Sequence, residues 1–93
     1  MWQVLEHKRL SKYLGSLPVE ILKRYEKWKD IVRISGPAGL KAIRGFHDEA
    51  LRGQWKGFRS SRPGQKYRVL YRIEAQKVLV KVVDLTPHDD RKR

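Results

Sequence analysis

Two neighbouring stretches near the end of the chain restrict its fold more than any other feature. In Tyr67-Arg68-Val69-Leu70-Tyr71-Arg72-Ile73, residues Tyr67, Val69, Tyr71 and Ile73 point one way and Arg68, Leu70 and Arg72 the other. Beyond Glu74-Ala75-Gln76, which is short enough for a hairpin connection, Val78, Val80 and Val82 oppose Lys77, Leu79 and Lys81 in the same rhythm. This period of two predicts paired strands over 66–74 and 77–85. One face is apolar and needs cover, and the other carries a row of cations. A third strand is predicted over 54–60, joined to them through the turn signal Arg62-Pro63-Gly64-Gln65.

The cover lies upstream. Residues 2–6 are short and apolar enough for a first strand, and Leu10, Tyr13 and Leu14 have helical spacing within 8–14. Gly15 ends that helix, Pro18 is tolerated in the first turn of the next, and Glu20 suits the positive end of its dipole. The second helix runs to about residue 34, with Ile21, Leu22, Tyr25, Trp28 and Val32 forming one stripe for packing on a sheet. Trp28 and Tyr25 are read as core. Ser35-Gly36-Pro37 stops the helix, and a long segment follows with a helical turn at 38–43. Loops of this length in small domains are usually functional. The fold expected is a single α+β domain over 1–93: two N-terminal helices on one face of a small, mainly antiparallel four-stranded sheet, with strand order left open.

A core of this size needs no disulfide, and none is available, because the chain has no Cys; with three His, no zinc cluster is spaced either. No metal or cofactor is expected, and a reducing cytoplasm fits. No apolar run approaches the roughly 20 residues of a membrane span, and residues 1–7 lack the basic-then-apolar order of a secretory signal, so a soluble chain that starts directly into structure is expected. Twenty-two Lys and Arg against ten Asp and Glu give a formal charge of +12, a field that attracts polyanions. Nucleic acid is favoured over an anionic membrane, since no basic helix has a broad uninterrupted apolar face.

The words Leu51-Arg52-Gly53-Gln54-Trp55-Lys56-Gly57-Phe58-Arg59, Tyr67-Arg68-Val69-Leu70-Tyr71 and Thr86-Pro87-His88-Asp89, in this order, resemble the RelE/ParE toxins of bacterial toxin–antitoxin pairs. The motifs cover roughly 51–90, and the rest agrees in element order. The resemblance implies a toxin held inactive by a cognate antitoxin, in an oligomer where the two assemble. It also implies one of two activities: ribosome-dependent cleavage of messenger RNA, as in RelE-like, HigB-like, YoeB-like and YafQ-like toxins, or inhibition of DNA gyrase, as in ParE-like ones. His88 and the dense cations favour the endoribonuclease branch, with ribosome and mRNA as partners; a basic RNA- or ribosome-binding module without chemistry is the remaining alternative.

Metal-free RNA cleavage needs a base for the 2′-hydroxyl proton, cations for the crowded phosphate and an acid for the departing 5′ oxygen. Arg68, on the strand face opposite the core, can grip a phosphate through two donors. His88 is the first proton-transfer candidate, since an unperturbed imidazole can both give and take protons near neutrality. His47 is a second proton-transfer candidate, with Asp48 and Glu49 beside it as bases or orienting groups, and Lys56 completes the catalytic set. Arg59, Arg62, Arg72 and Lys81 supply the field for RNA phosphates, and Trp55 and Phe58 are candidates for base stacking, against the commoner fate of strand aromatics as core. Alternation sets Lys56 and Arg59 on opposite faces, so either a bulge at Gly57 brings both over or one faces elsewhere. His7 is read as structural. Related C-terminal segments often carry an aromatic residue directly after His-Asp; here that position is Asp90, which adds negative charge near any bound phosphate.

Overall fold

The two alternating stretches form β4 (Tyr67–Glu74) and β5 (Lys77–Leu85) in a computed structural model that describes residues 1–64 and 66–85, the side chains of 82–85 excepted. Before them come β1 (Gln3–Glu6), α1 (Leu10–Leu14), α2 (Val19–Ser35), α3 (Ala38–Lys41), β2 (Glu49–Ala50) and β3 (Phe58–Gly64). The sheet order is β1-β5-β4-β3-β2. β1 runs parallel to β5, and every other neighbouring pair is antiparallel. The α+β class is as expected, with helices on one face of a mainly antiparallel sheet. The sheet has five strands rather than four, because the two-residue β2 pairs with β3 at Glu49↔Ser60 and Ala50↔Arg59.

The helices cover the apolar face as their spacing requires. Tyr25, Trp28 and Val32 of α2 are fully buried with Val69, Tyr71 and Val78 of the sheet. Tyr25 stacks on Trp28 with centroids 5.9 Å apart, and Trp28 meets Tyr71 edge-on at 5.3 Å. Each such side chain contributes about 1.5–3 kcal/mol on leaving water. Gly36 ends α2 at φ 74°, and a Cβ there would stand 2.6 Å from the indole nitrogen of Trp2, so this position needs glycine for both backbone and space.

Three expectations about the strands are corrected. The strand predicted over 54–60 begins at Phe58, since Gly53 and Gly57 adopt positive φ and Gly53–Trp55 forms a 3-10 turn instead. Arg62-Pro63-Gly64, read as a turn, belongs to the irregular end of β3, where the register shifts between Ser61 and Gly64. In β5 the alternation does not run through to Val82. Tyr71 pairs with Val80 but Leu70 pairs with Val82, leaving Lys81 as the extra residue of a β-bulge.

Among the described residues, no helix is long and apolar enough to cross a membrane.

A polar cluster ties β1 to α2. Glu6 accepts a hydrogen bond from the Tyr25 hydroxyl at 2.6 Å and one from Lys29 Nζ at 3.1 Å, and Lys29 also pairs with Glu26 at 3.2 Å. Burial pulls the Glu6 carboxyl upward, but the bonds from Tyr25 and Lys29 and the charges of Lys29 and Arg33 outweigh it and hold the group below its ordinary value. Burial, then the bond to Glu6, pushes the Tyr25 phenol up. A carboxyl with a lowered folded pKa contributes stability above its unfolded pKa of about 4.3 and loses it as pH falls through the folded value. Urea midpoints of the wild type and Glu6→Gln should therefore differ at pH 6 and converge toward pH 3. A gap that does not change with pH would show that ionisation of Glu6 is not what ties the strand to the helix.

Candidate nucleic-acid interface

The pleat divides the charged residues between two faces of the sheet. Cross-strand partners share a face, so Ser60, Leu70, Arg72, Phe58, Leu79 and Leu5 lie together on the outer face, away from the helices. Arg68 lies there too, two residues from Leu70 and opposite Asp84 in register. It is partly buried, and its Nε is buried with no hydrogen-bond partner among the described residues. Glu49 joins this face through its pairing with Ser60. The register sets Glu49 and Arg68 diagonally across β3, roughly 12 Å apart at Cα from strand spacing and rise, so their side chains can reach one phosphodiester from two sides.

The outer face is less uniformly cationic than the alternation predicts. Leu70 and Ser60 at its centre are 1% and 5% exposed, and Leu79, Phe58 and Leu5 add apolar surface. Arg72 is exposed, donates to Glu74, and has its guanidinium carbon 5.7 Å from the centroid of the Phe58 ring. Trp55 meets the same ring edge-on at 5.3 Å from the 3-10 turn. Lys81 stands at the bulge, exposed, and Lys56 and Arg62 are exposed at the two ends of the β3 region.

Arg59 is not part of this surface. Its register partner is Tyr71, which sets it on the helix side. There its Nη2 and Nε donate to Asp48 Oδ2 at 2.8 and 3.0 Å, while the Ser61 and Tyr71 hydroxyls donate to Asp48 Oδ1. The Asp48 side chain has no exposure and that of Arg59 has 21%. Burial pulls the Arg59 guanidinium down, but the bonds from it to Asp48 and Tyr71 outweigh this and raise its pKa; burial and then Asp48 push the Tyr71 phenol up. Of the two adjacent carboxylates, Asp48 is thus a structural anchor and Glu49 the one on the outer face. The Lys56 and Arg59 alternatives are resolved without a bulge, because the strand starts after Gly57.

His47 is exposed in a left-handed turn before β2, at φ 47°. His7 is exposed at the end of β1, and its Nδ1 accepts the Arg9 amide at 3.2 Å. His88 and Asp90 lie outside the described residues. Among the described residues, no three His, Asp or Glu side chains gather closely enough to hold a metal ion.

The sequence reading missed the Asp48 cluster, though a signal was present. Arg59 and Ser61 are two residues apart at positions that face the core, and a buried Arg demands a carboxylate. The placement of Glu49 had no such signal, since it depends on a two-residue strand.

The sequence matches no family model and no curated protein. Solved structures share the fold. The archaeal RelE–RelB complex from Pyrococcus horikoshii is similar at a TM-score of 0.71 and 25% identity over 90% of this chain and 93% of that one. The toxin–antitoxin complex RelBE2 from Mycobacterium tuberculosis gives 0.66 and 26% over 91% and 98%. A YoeB/ParE toxin from Agrobacterium tumefaciens gives 0.71 and 16% over 90% and 98%.

Proposed function

The chain has the fold of the RelE/ParE toxin superfamily, and from that fold and its outer sheet face we propose that it is the toxin of a toxin–antitoxin pair, an endoribonuclease that cuts mRNA on the ribosome. The observation that carries this reading is that a cation, Arg68, and a carboxylate, Glu49, share one face across β3; on this reading both engage the scissile phosphodiester. In the reaction, a base takes the 2′-hydroxyl proton, the 2′ oxygen attacks phosphorus to form a 2′,3′-cyclic phosphate, and the 5′ oxygen leaves with a proton from an acid. Glu49 suits the base. His88 is assigned the acid, since an imidazole can both give and take a proton. Arg68 stabilises the charge that grows on the phosphoryl oxygens. Arg72, Lys81, Lys56 and Arg62 add positive field around the strand, and Trp55 offers a ring for stacking.

Such toxins require inhibition, and two of the structural relatives are complexes with antitoxins. An acidic cognate antitoxin, steered by the +12 charge, is the partner proposed, with ribosome and mRNA as targets in the cytoplasm.

Induction of the chain in growing cells, followed by primer extension on a chosen transcript, tests the reading. Cuts within translated codons that vanish when translation initiation is blocked are expected. Intact mRNA with broken chromosomes would overturn it in favour of a gyrase inhibitor.

A further inference from the structure

The outer face holds a pocket of about 250 Å³ that the cleavage chemistry does not use. Register builds it: Leu5 lies opposite Leu79, Leu79 opposite Arg72, and Arg72 opposite Phe58, so four strands place one residue each in a single row. Leu5, Leu79 and Phe58 are its apolar lining, and His7, Arg72 and Lys81 are its basic lining. Leu5 is 45% exposed although apolar. Two acids bear on it, Glu6 in the lining itself and Glu74 beside Arg72. Glu6 has its carboxylate engaged by Tyr25 and Lys29, and Glu74 accepts from Arg72, tethering the guanidinium that lies near the Phe58 ring.

We propose that this pocket is a subsite for one unstacked nucleobase of single-stranded RNA, set between the Phe58–Arg72 pair and the Leu5–Leu79 floor. The inference deepens the RNA-cleaving reading and rests on it. Unstacked bases settle on aromatic rings and guanidinium planes, and this pocket offers both beside a second aromatic ring, Trp55. Its volume falls below the roughly 300–1,000 Å³ of pockets for drug-sized ligands, which suits one flat ring system. Lys81 carries the charge for the phosphate of the same nucleotide, and His7, whose Nδ1 accepts the Arg9 amide, lies beside it with its other ring nitrogen. Arg72 is four residues from Arg68, about 13 Å along β4, so the base belongs to a nucleotide flanking the cleaved bond.

Hexanucleotides with 2′-O-methyl sugars, which bind but cannot be cut, test this when a single abasic position is walked along them. One position should weaken binding to the wild-type chain by about 5- to 150-fold, the range for losing one stacked base. Leu5→Glu, at an exposed site, should weaken the intact oligonucleotide and erase the abasic effect. Gln3→Glu, the same charge change on β1 outside the pocket, should preserve it. Phe58→Leu, which keeps apolar bulk without the ring, should shrink it at constant charge. Binding that is indifferent to every abasic position overturns the subsite while leaving cleavage of mRNA intact. Unchanged RNA binding in Leu5→Glu with lost affinity for an acidic antitoxin peptide would also overturn it, identifying a protein-docking pocket. No RNA binding by the wild type overturns both the subsite and the reading beneath it.

Discussion

Asp48→Ala is expected to lose about 3–5 kcal/mol of folding stability, the cost of removing one partner of a buried charge pair. Two donors of Arg59 and the hydroxyls of Ser61 and Tyr71 converge on the two oxygens of Asp48, whose side chain is fully enclosed. Truncation strands a mostly buried guanidinium and two hydroxyls at once. It also releases the anchor of β2, which is only two residues long. Small domains have about 5–15 kcal/mol in total, so the variant should show a large drop in urea midpoint and a measurable unfolded fraction at 37 °C. Asp48→Asn should fall between, keeping the shape and one acceptor while losing the charge. Adding Arg59→Leu to Asp48→Ala should recover part of the loss, because the uncompensated charge is then gone. A loss under about 1 kcal/mol would mean that water reaches Arg59 and the cluster is not an anchor.

The layers of the fold were legible because they follow from side-chain period alone. Tyr25, Trp28 and Val32 recur as a helix stripe and are fully buried; Val69 and Tyr71 alternate with Arg68 and Arg72 and divide inward from outward as predicted. Departures occur where one residue breaks the period. Lys81 at the bulge shifts everything after Val80 by one place, and Gly53 and Gly57 turn a predicted strand into a 3-10 turn, which moves Trp55 off the sheet. Propensity carries no record of such breaks, since they are set by pairing with a strand elsewhere in the chain. The candidate site was half legible for the same reason. Arg68 and Arg72 sit within a regular strand, so their face could be read. Arg59 has the same residue type and lies in the neighbouring strand, yet its register with Tyr71 turns it inward to Asp48. The role of a charged residue in a sheet is thus fixed by register, and a cation count along the sequence overstates the interface.

Arg68→Ala should lower the rate of single-turnover mRNA cleavage on programmed ribosomes by about 10²–10³-fold, the usual cost of deleting one donor to a developing oxyanion. The residue stands on the outer face, partly buried, with its Nε unpaired among the described residues, so its removal breaks no hydrogen bond there at Nε and the melting temperature should hardly move. That separates it from Asp48, whose loss would lower activity through unfolding. Arg68→Lys should recover only part of the rate, because an ammonium is a point charge that cannot hold two phosphate oxygens in the fork geometry of a guanidinium. Binding of an uncleavable RNA should weaken far less than the rate falls, since the donor acts mainly when charge accumulates on the phosphoryl group. Equal losses in binding and rate would make Arg68 a docking residue. An unaltered rate with intact folding would remove it from the site and leave the outer face as a binding surface without the assigned chemistry.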